Sequence, residues 1–318
     1  MTRRLLFGAA WPPALVAKLQ AVLEGWEIVL WPEVGEAERK AADVVVPTGA
    51  KVDRAFLEGS RVRLVHQFGV GLDTVDLAAA KDLGVMVANA PSVLSGGAAA
   101  VAEGAVLLVL MCARLRPQQE RFLAQQRWNW QMPLNLGLAG RTVGLVGFGN
   151  IGRQIAQRLR AFDMTVHAVR RSGDPDGEAA GLGLASIGTM DALGEMLAAS
   201  DVVVICAPLN EGTRNLFDAA MLARMKPGAI LVNVGRGGII DEAALIEALD
   251  AGALHAAGLD TIATEPAPLD SPLLSHERIV VTPHDAGVSD KAFDGVAAIL
   301  KENLRRMEAG EELLHRAV

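Results

Sequence analysis

The sequence predicts an α/β protein made of two doubly wound parallel-sheet domains. Short apolar runs alternate with helix-sized stretches, as in parallel strands joined by crossover helices. The alternation breaks once, at "RWNWQMPLNLGLAG", and then restarts. The length of 318 residues also exceeds the roughly 250–300 at which a single hydrophobic core stops growing.

Five strands are expected before the break: "RLLFGA", "EIVLW", "DVVVP", "RLVHQF" and "VMVANA". Between the first two, "PALVAKLQAVL" sets Leu15, Leu19 and Val22 on one stripe, the pattern of a helix lying on a sheet. Residues 98–113, "AAAVAEGAVLLVLMCA", are nearly uncharged and approach the roughly 20 residues that span a bilayer. Glu103 and Gly104 interrupt that run, so a long helix buried between domains or subunits is expected instead of a membrane span. Six more strands follow the break: "TVGLVGFG", "TVHAVR", "DVVVICAP", "AILVNVG", "AAGLD" and "IVVTPH", making the second unit the larger. The last helix, "DGVAAILKENLRRMEAG", is amphipathic and carries basic residues toward its C-terminal end, where they complement the helix dipole.

Composition narrows the partners. Thirty Lys and Arg against 37 Asp and Glu give a net charge of −7, which disfavours a nucleic-acid or anionic-membrane surface and leaves a small molecule. Cys112 and Cys206 sit in apolar stretches without CxxC or histidine spacing. They read as buried thiols of a reducing cytoplasm, with neither a disulfide nor a metal site. The N-terminal "MTRRLLFGAAWPP" has too short an apolar run for a signal peptide and reads as a first strand and turn.

Gly147, Gly149 and Gly152 stand in GxGxxG spacing between the apolar run Val143–Val146 and a helical pattern of Ile151, Ile155, Leu159 and Phe162. In a dinucleotide fold such glycines allow a tight turn, close approach to a pyrophosphate and close helix–strand packing. The alternative is a plain packing turn. The next strand ends not in the acid that would bond a ribose 2′-hydroxyl but in Arg170 and Arg171. Two guanidiniums suit a 2′-phosphate, which favours NADP(H) over NAD(H) as the cofactor. A competing reading leaves both arginines in solvent and folds Asp174 or Asp176 onto the ribose.

Three further strand ends carry Arg236, then Asp260 and Glu265, then His284. Ligands of open α/β sheets bind outside the carboxyl ends of the strands, so these residues are expected to converge. Reducing a 2-keto acid by hydride needs a carboxylate clamp, a positive charge at the carbonyl oxygen and a proton donor. Arg236 suits the first two with its planar fork, and His284 the third, with Glu265 favouring the imidazolium. Singly, each also reads as a loop arginine, a pre-proline surface acid and a turn histidine.

Taken in order, "HQFGVGLDTVDL", "VANAPS", "AAAVAEGAVLLVL", "TVGLVGFGNIG", "CAPLNEGTRNLF", "MKPGAILVNVGRGGIIDEAAL", "GLDTIATEPAP" and "IVVTPHDAG" resemble D-isomer-specific 2-hydroxyacid dehydrogenases over nearly the whole chain. The resemblance implies a flavodoxin-like substrate-binding domain from residues 1–101 and 288–318 and an inserted Rossmann cofactor domain from 102–287. It implies a homodimer built largely through the cofactor domain, with the active site in the interdomain cleft. Carried over by position, the catalytic set is Arg236, Glu265 and His284, and the substrate carboxylate falls to the backbone of Val70 and Gly71, with Arg236 and His284 also touching substrate. The cofactor set is Gly147, Phe148, Gly149, Asn150, Ile151, Arg170, Arg171, Ala207, Pro208, Thr213, Val234 and Asp260, the last on the nicotinamide carboxamide.

Two positions depart from the family pattern: Gly104, where many relatives have histidine, and Asp285, where an apolar residue is common. The arginine pair resembles the glyoxylate/hydroxypyruvate and hydroxyphenylpyruvate reductase branches, which tend to use NADPH, so reduction is the expected direction. Formate dehydrogenases pair the histidine with glutamine, which Glu265 is not; phosphite oxidation keeps a similar triad and stays open. A nicotinamide-sensing interaction protein is the rival of another class, though the chain has no extended tail or basic region. Trp128, Trp130 and Met132 in the central loop are candidates to cap the substrate pocket or to anchor a dimer.

Overall fold

In the computed structural model, residues 3–128 and 134–318 are described, so Trp130 and Met132 lie outside the described residues. The chain divides into two compact units, one from Met1–Gly97 with Ser289–Val318 and one from Ala98–Val288.

The first unit holds a parallel sheet of β1 (Arg3–Phe7), β2 (Trp26–Leu30), β3 (Val44–Val46), β4 (Leu64–His66) and β5 (Met86–Ala88). Their order is β2-β1-β3-β4-β5, the doubly wound order of flavodoxin-like folds. Successive residues of a strand face opposite sides, and the two faces pack separate cores. Leu5, Phe7, Val44, Val46 and Leu64 pack with Leu19 of the Pro13–Val22 helix and Leu300 and Leu304 of the Asp290–Ala309 helix. Leu6, Val45, Val65 and Val87 pack on the other side with Phe56, Ala79 and Ala80. The chain reverses direction between β1 and β3, and there the backbones touch. A Cβ on Gly8 would fall 1.7 Å from the Pro47 carbonyl oxygen, so only glycine fits.

The second unit holds β6 (Thr142–Val146), β7 (Thr165–Val169), β8 (Ser186–Gly188), β9 (Val202–Ile205), β10 (Ala229–Asn233), β11 (Leu254–Leu259) and β12 (Ile279–Val281). All pair parallel in the order β12-β11-β10-β9-β6-β7-β8. Strand β8 is an addition to the sequence reading: "SIG" is a three-residue edge strand without an apolar run of its own. The helix Gly97–Ala113 lies in the core of this unit, where Ala102, Ala105, Leu108 and Cys112 pack against Val143, Leu145 and Val204. No single helix among the described residues is long and apolar enough to cross a membrane. Phe162, read as part of the stripe after the glycine motif, lies beyond the end of the Asn150–Arg160 helix and is exposed; Ile155 and Leu159 are buried as expected.

Candidate active site

The second sheet reverses direction between β6 and β9, the place where open α/β folds bind ligands. Each motif glycine there has its own reason. Gly147 has φ +94, and a Cβ on it would lie 2.8 Å from Ala207 N, so the turn after β6 packs on the loop after β9. A Cβ on Gly152 would lie 2.8 Å from the Gly147 carbonyl oxygen, which keeps the helix close to the strand. Gly149 faces open space and begins the Asn150–Arg160 helix as its N-cap, where backbone N–H groups point outward. The turn therefore has the open, anion-favouring cradle a dinucleotide pyrophosphate requires. Beneath it the Cys206 thiol donates to the Gly147 carbonyl at 2.9 Å, and burial pushes that thiol up to about 12.

Phe148 is buried, with the guanidiniums of Arg153 and Arg170 over its ring at 5.4 and 5.9 Å. Arg170 is not a solvated residue: its Nη1 donates to Glu178 Oε2 at 2.9 Å and its Nε to the Gly173 carbonyl. Arg171 is exposed and has no partner among the described residues. Asp174 does not fold back from the strand end; it accepts from the N–H groups of Glu178 and Ala179 at 2.7 and 3.0 Å and so starts the Glu178–Leu182 helix. Ala207 and Val234 are buried at the ends of β9 and β10, the Val234 N–H donating to the Ile205 carbonyl. Thr213 closes its own loop, its hydroxyl donating to the Pro208 carbonyl at 2.7 Å and accepting from Asn210 N at 2.8 Å. Asn150 and Pro208 are exposed and Ile151 is half-buried.

The residues expected from sequence to be catalytic stand after three adjacent strands, β10, β11 and β12. After β10, buried Asn233 accepts from Gly235 N at 2.9 Å and donates to the Arg236 carbonyl at 3.0 Å, which fixes the turn that presents Arg236. Gly237 packs directly on the loop after β11, since a Cβ there would lie 1.9 Å from the Ile262 carbonyl carbon. That loop is pinned twice more. Glu242 Oε1 accepts from Ala263 N at 2.6 Å, and Glu265 Oε1 accepts from Ile262 N at 3.1 Å. The other Glu265 oxygen, Oε2, lies 2.6 Å from His284 Nδ1. A carboxylate can only accept here, so Nδ1 carries the hydrogen and Nε2 is the nitrogen left for a substrate. The His284 side chain keeps 46% of its surface exposed.

Asp260 is the residue whose position sequence reading found but whose main contacts it missed. It is 4% exposed, and its Oδ1 accepts from the Thr282 hydroxyl at 2.7 Å, Asp285 N at 3.0 Å and Ala286 N at 3.1 Å. Its carbonyl also accepts from His284 N at 3.0 Å, and His284 sits at φ +54, a conformation that such bonds hold in place. Asp285 itself is exposed. Gly104 of the Gly97–Ala113 helix explains its own departure from pattern: a Cβ there would lie 2.6 Å from the Ala286 Cβ, so no histidine fits beside this loop.

In the first unit, the loop after β4 carries Val70, which is 50% exposed, and Gly71. Their carbonyls accept from Asn89 Nδ2 at 2.8 Å and Gln67 Nε2 at 2.7 Å, while their own N–H groups have no acceptor among the described residues. Two adjacent unpaired donors suit a carboxylate. Trp128 is 73% exposed, in the second unit. No group of three His, Cys, Asp or Glu side chains among the described residues could hold a metal ion.

Comparisons with known proteins place this arrangement among relatives. The family profile described as "D-isomer specific 2-hydroxyacid dehydrogenase, NAD binding domain" matches residues 106–286. A glyoxylate reductase of Korarchaeum cryptofilum is 33% identical over 312 residues, which cover 92% of this chain and 90% of that one. A D-3-phosphoglycerate dehydrogenase of Archaeoglobus fulgidus is 35% identical over 84% of this chain. Here the match spans only 49% of the relative, so the chain spans about half the length of the phosphoglycerate dehydrogenases it matches. Among solved structures, an NADPH-dependent glyoxylate/hydroxypyruvate reductase of Sinorhizobium meliloti, in complex with NADP and malonate, is 31% identical with a TM-score of 0.82. That match covers 100% of this chain and 97% of the other.

Proposed function

The chain belongs to the D-isomer specific 2-hydroxyacid dehydrogenase family, and on that premise we propose that it reduces a small 2-keto acid of the glyoxylate or hydroxypyruvate kind to the D-2-hydroxy acid, with NADPH preferred over NADH. The observation that carries the reading is the 2.6 Å contact between Glu265 after β11 and His284 after β12, with Arg236 after β10, the strand next to β11. The glycine turn after β6 and the N-terminus of the Asn150–Arg160 helix would hold a nicotinamide dinucleotide, which when bound would supply the hydride. Arg236 offers its fork to the substrate carboxylate and its charge to the carbonyl oxygen as negative charge develops there. His284 delivers a proton from Nε2 to the nascent alkoxide while Glu265 on Nδ1 fixes the ring and balances its charge. In the first unit, the N–H groups of Val70 and Gly71, without an acceptor among the described residues, are proposed as donors to a substrate carboxylate. Asp260 has one oxygen engaged by the His284 loop, and its Oδ2, without a protein partner among the described residues, is assigned to the nicotinamide carboxamide.

The NADPH preference is supported by the strand end at Arg170 and Arg171, which offers cations where an acid would bind a ribose diol, and by the NADPH-dependent relative. A homodimer is proposed as well, supported by Leu107, Trp128 and Leu134, all exposed in the second unit; light scattering at micromolar concentration tests it. The activity is tested by the loss of 340 nm absorbance from NADPH and NADH, in parallel, over glyoxylate, hydroxypyruvate, phenylpyruvate and pyruvate. Turnover fastest with NADPH and one of the first two is expected. No turnover by protein that binds NADPH would overturn the assignment.

A further inference from the structure

Two arginines at the rim of the glycine turn share one carboxylate. Glu178 accepts from the fork of Arg153, with Nη2 at 2.8 Å from Oε2, and from Arg170 Nη1 at 2.9 Å. Arg153 and then Arg170 hold the Glu178 carboxyl below its usual range, so it stays charged at neutral pH. Asp174 lies 3.9 Å from Arg170, but its oxygens are taken by helix N–H groups. Arg171, the next residue, is exposed without a partner among the described residues. The two arginines of the strand end are therefore unequal: Arg170 is fixed and neutralised, and Arg171 is uncompensated among the described residues.

We propose that Glu178 is the specificity-determining residue that sets how strongly this protein distinguishes a dinucleotide with a 2′-phosphate from one without. The inference rests on the reading that Arg170 and Arg171 face that phosphate. Glu178 acts in two opposed ways. It holds the Arg170 guanidinium against Phe148, which spares the ligand the entropy of ordering that side chain. It also places a negative charge one ion pair away from an incoming dianion, which weakens the attraction that Arg170 would otherwise exert. The discrimination left to the protein is then carried mostly by Arg171, and it is smaller than two free arginines would give.

The test is equilibrium binding to Glu178→Gln, which keeps the shape and one of the two acceptor oxygens, turns the other into an NH2 donor and removes the charge. NADPH and NADH are titrated by nicotinamide fluorescence, and adenosine 2′,5′-bisphosphate and 5′-AMP by calorimetry, so that the phosphate is isolated from the reactive ring. The ratio of NADH to NADPH dissociation constants is expected to rise about 5-fold at low ionic strength, with a matching rise for the adenosine pair, and to fall back as salt is added. Glu178→Asp, which keeps the charge, is expected within about 2-fold of the parent. An unchanged or lower ratio in the Gln variant, or equal shifts in both variants, would overturn the proposal. A parental ratio below one would sink the NADPH preference instead, while the change in ratio would still report on Glu178.

Discussion

Asp260 Oδ1 gathers three donors from the loop that presents His284, so a buried carboxylate governs where the proposed proton donor stands. Replacing Asp260 by Ala leaves those donors without an acceptor, at about 1–3 kcal/mol for each that stays buried. Turnover is expected to fall on the order of 100-fold and the melting temperature to drop with it; unchanged values of both would show that the loop is held by other contacts. His284→Gln isolates the chemistry: turnover should fall by roughly 10²- to 10⁴-fold while NADPH fluorescence titrations stay at the parental affinity. Near-normal turnover would remove His284 from the mechanism. Arg236, Glu265 and His284 could be singled out in the sequence because each follows an apolar strand, and the structure brings Glu265 and His284 into contact. The partners of Asp260 were not, since Thr282, Asp285 and Ala286 are 22 to 26 residues further along the chain and nothing local marks them. Glu178 escaped notice because it sits at an unremarkable helix start, and Asn233 because it lies inside the apolar run "AILVNVG", although its partners Gly235 and Arg236 are close by in sequence.

At the level of elements, the long helix Gly97–Ala113 packs on the His284 loop at Gly104. Gly104→His would drive a Cβ to 2.6 Å from that of Ala286, so either the helix or the His284 loop must move. Overpacking of this kind costs about 1–3 kcal/mol. The variant is expected to melt several degrees lower and to lose turnover more than substrate affinity; parental kinetics would mean that the loop absorbs the histidine freely. Strands buried on both faces announced themselves as continuous runs such as "DVVVI", which is why most of both sheets could be read directly. An edge strand buries less and needs no such run, and β8 went unread on that account.

For the whole molecule, a buried histidine ties stability to pH. His66 is completely buried in the first unit, both ring nitrogens lack a partner among the described residues, and burial pushes its imidazole down to about 4. The unfolded chain takes up that proton near 6.5, so the stability tied to a neutral His66 is fully present above that pH and is lost as pH falls toward 4. The loss amounts to roughly 3 kcal/mol. Urea unfolding of His66→Phe between pH 7.5 and 4.5 should show a flatter pH dependence than the parent; identical slopes would clear His66 of the effect. The division of the chain also sets a timetable. Helix Asp290–Ala309 completes the core around Leu5 and Phe7, and Ala317 N donates to the Val87 carbonyl beside β5. As the ribosome releases the chain, residues 98–288 can collapse on their own while the strands made before them wait, half-clad, for their last helix. Strands β1 to β5 are thus made before the helix that completes their core.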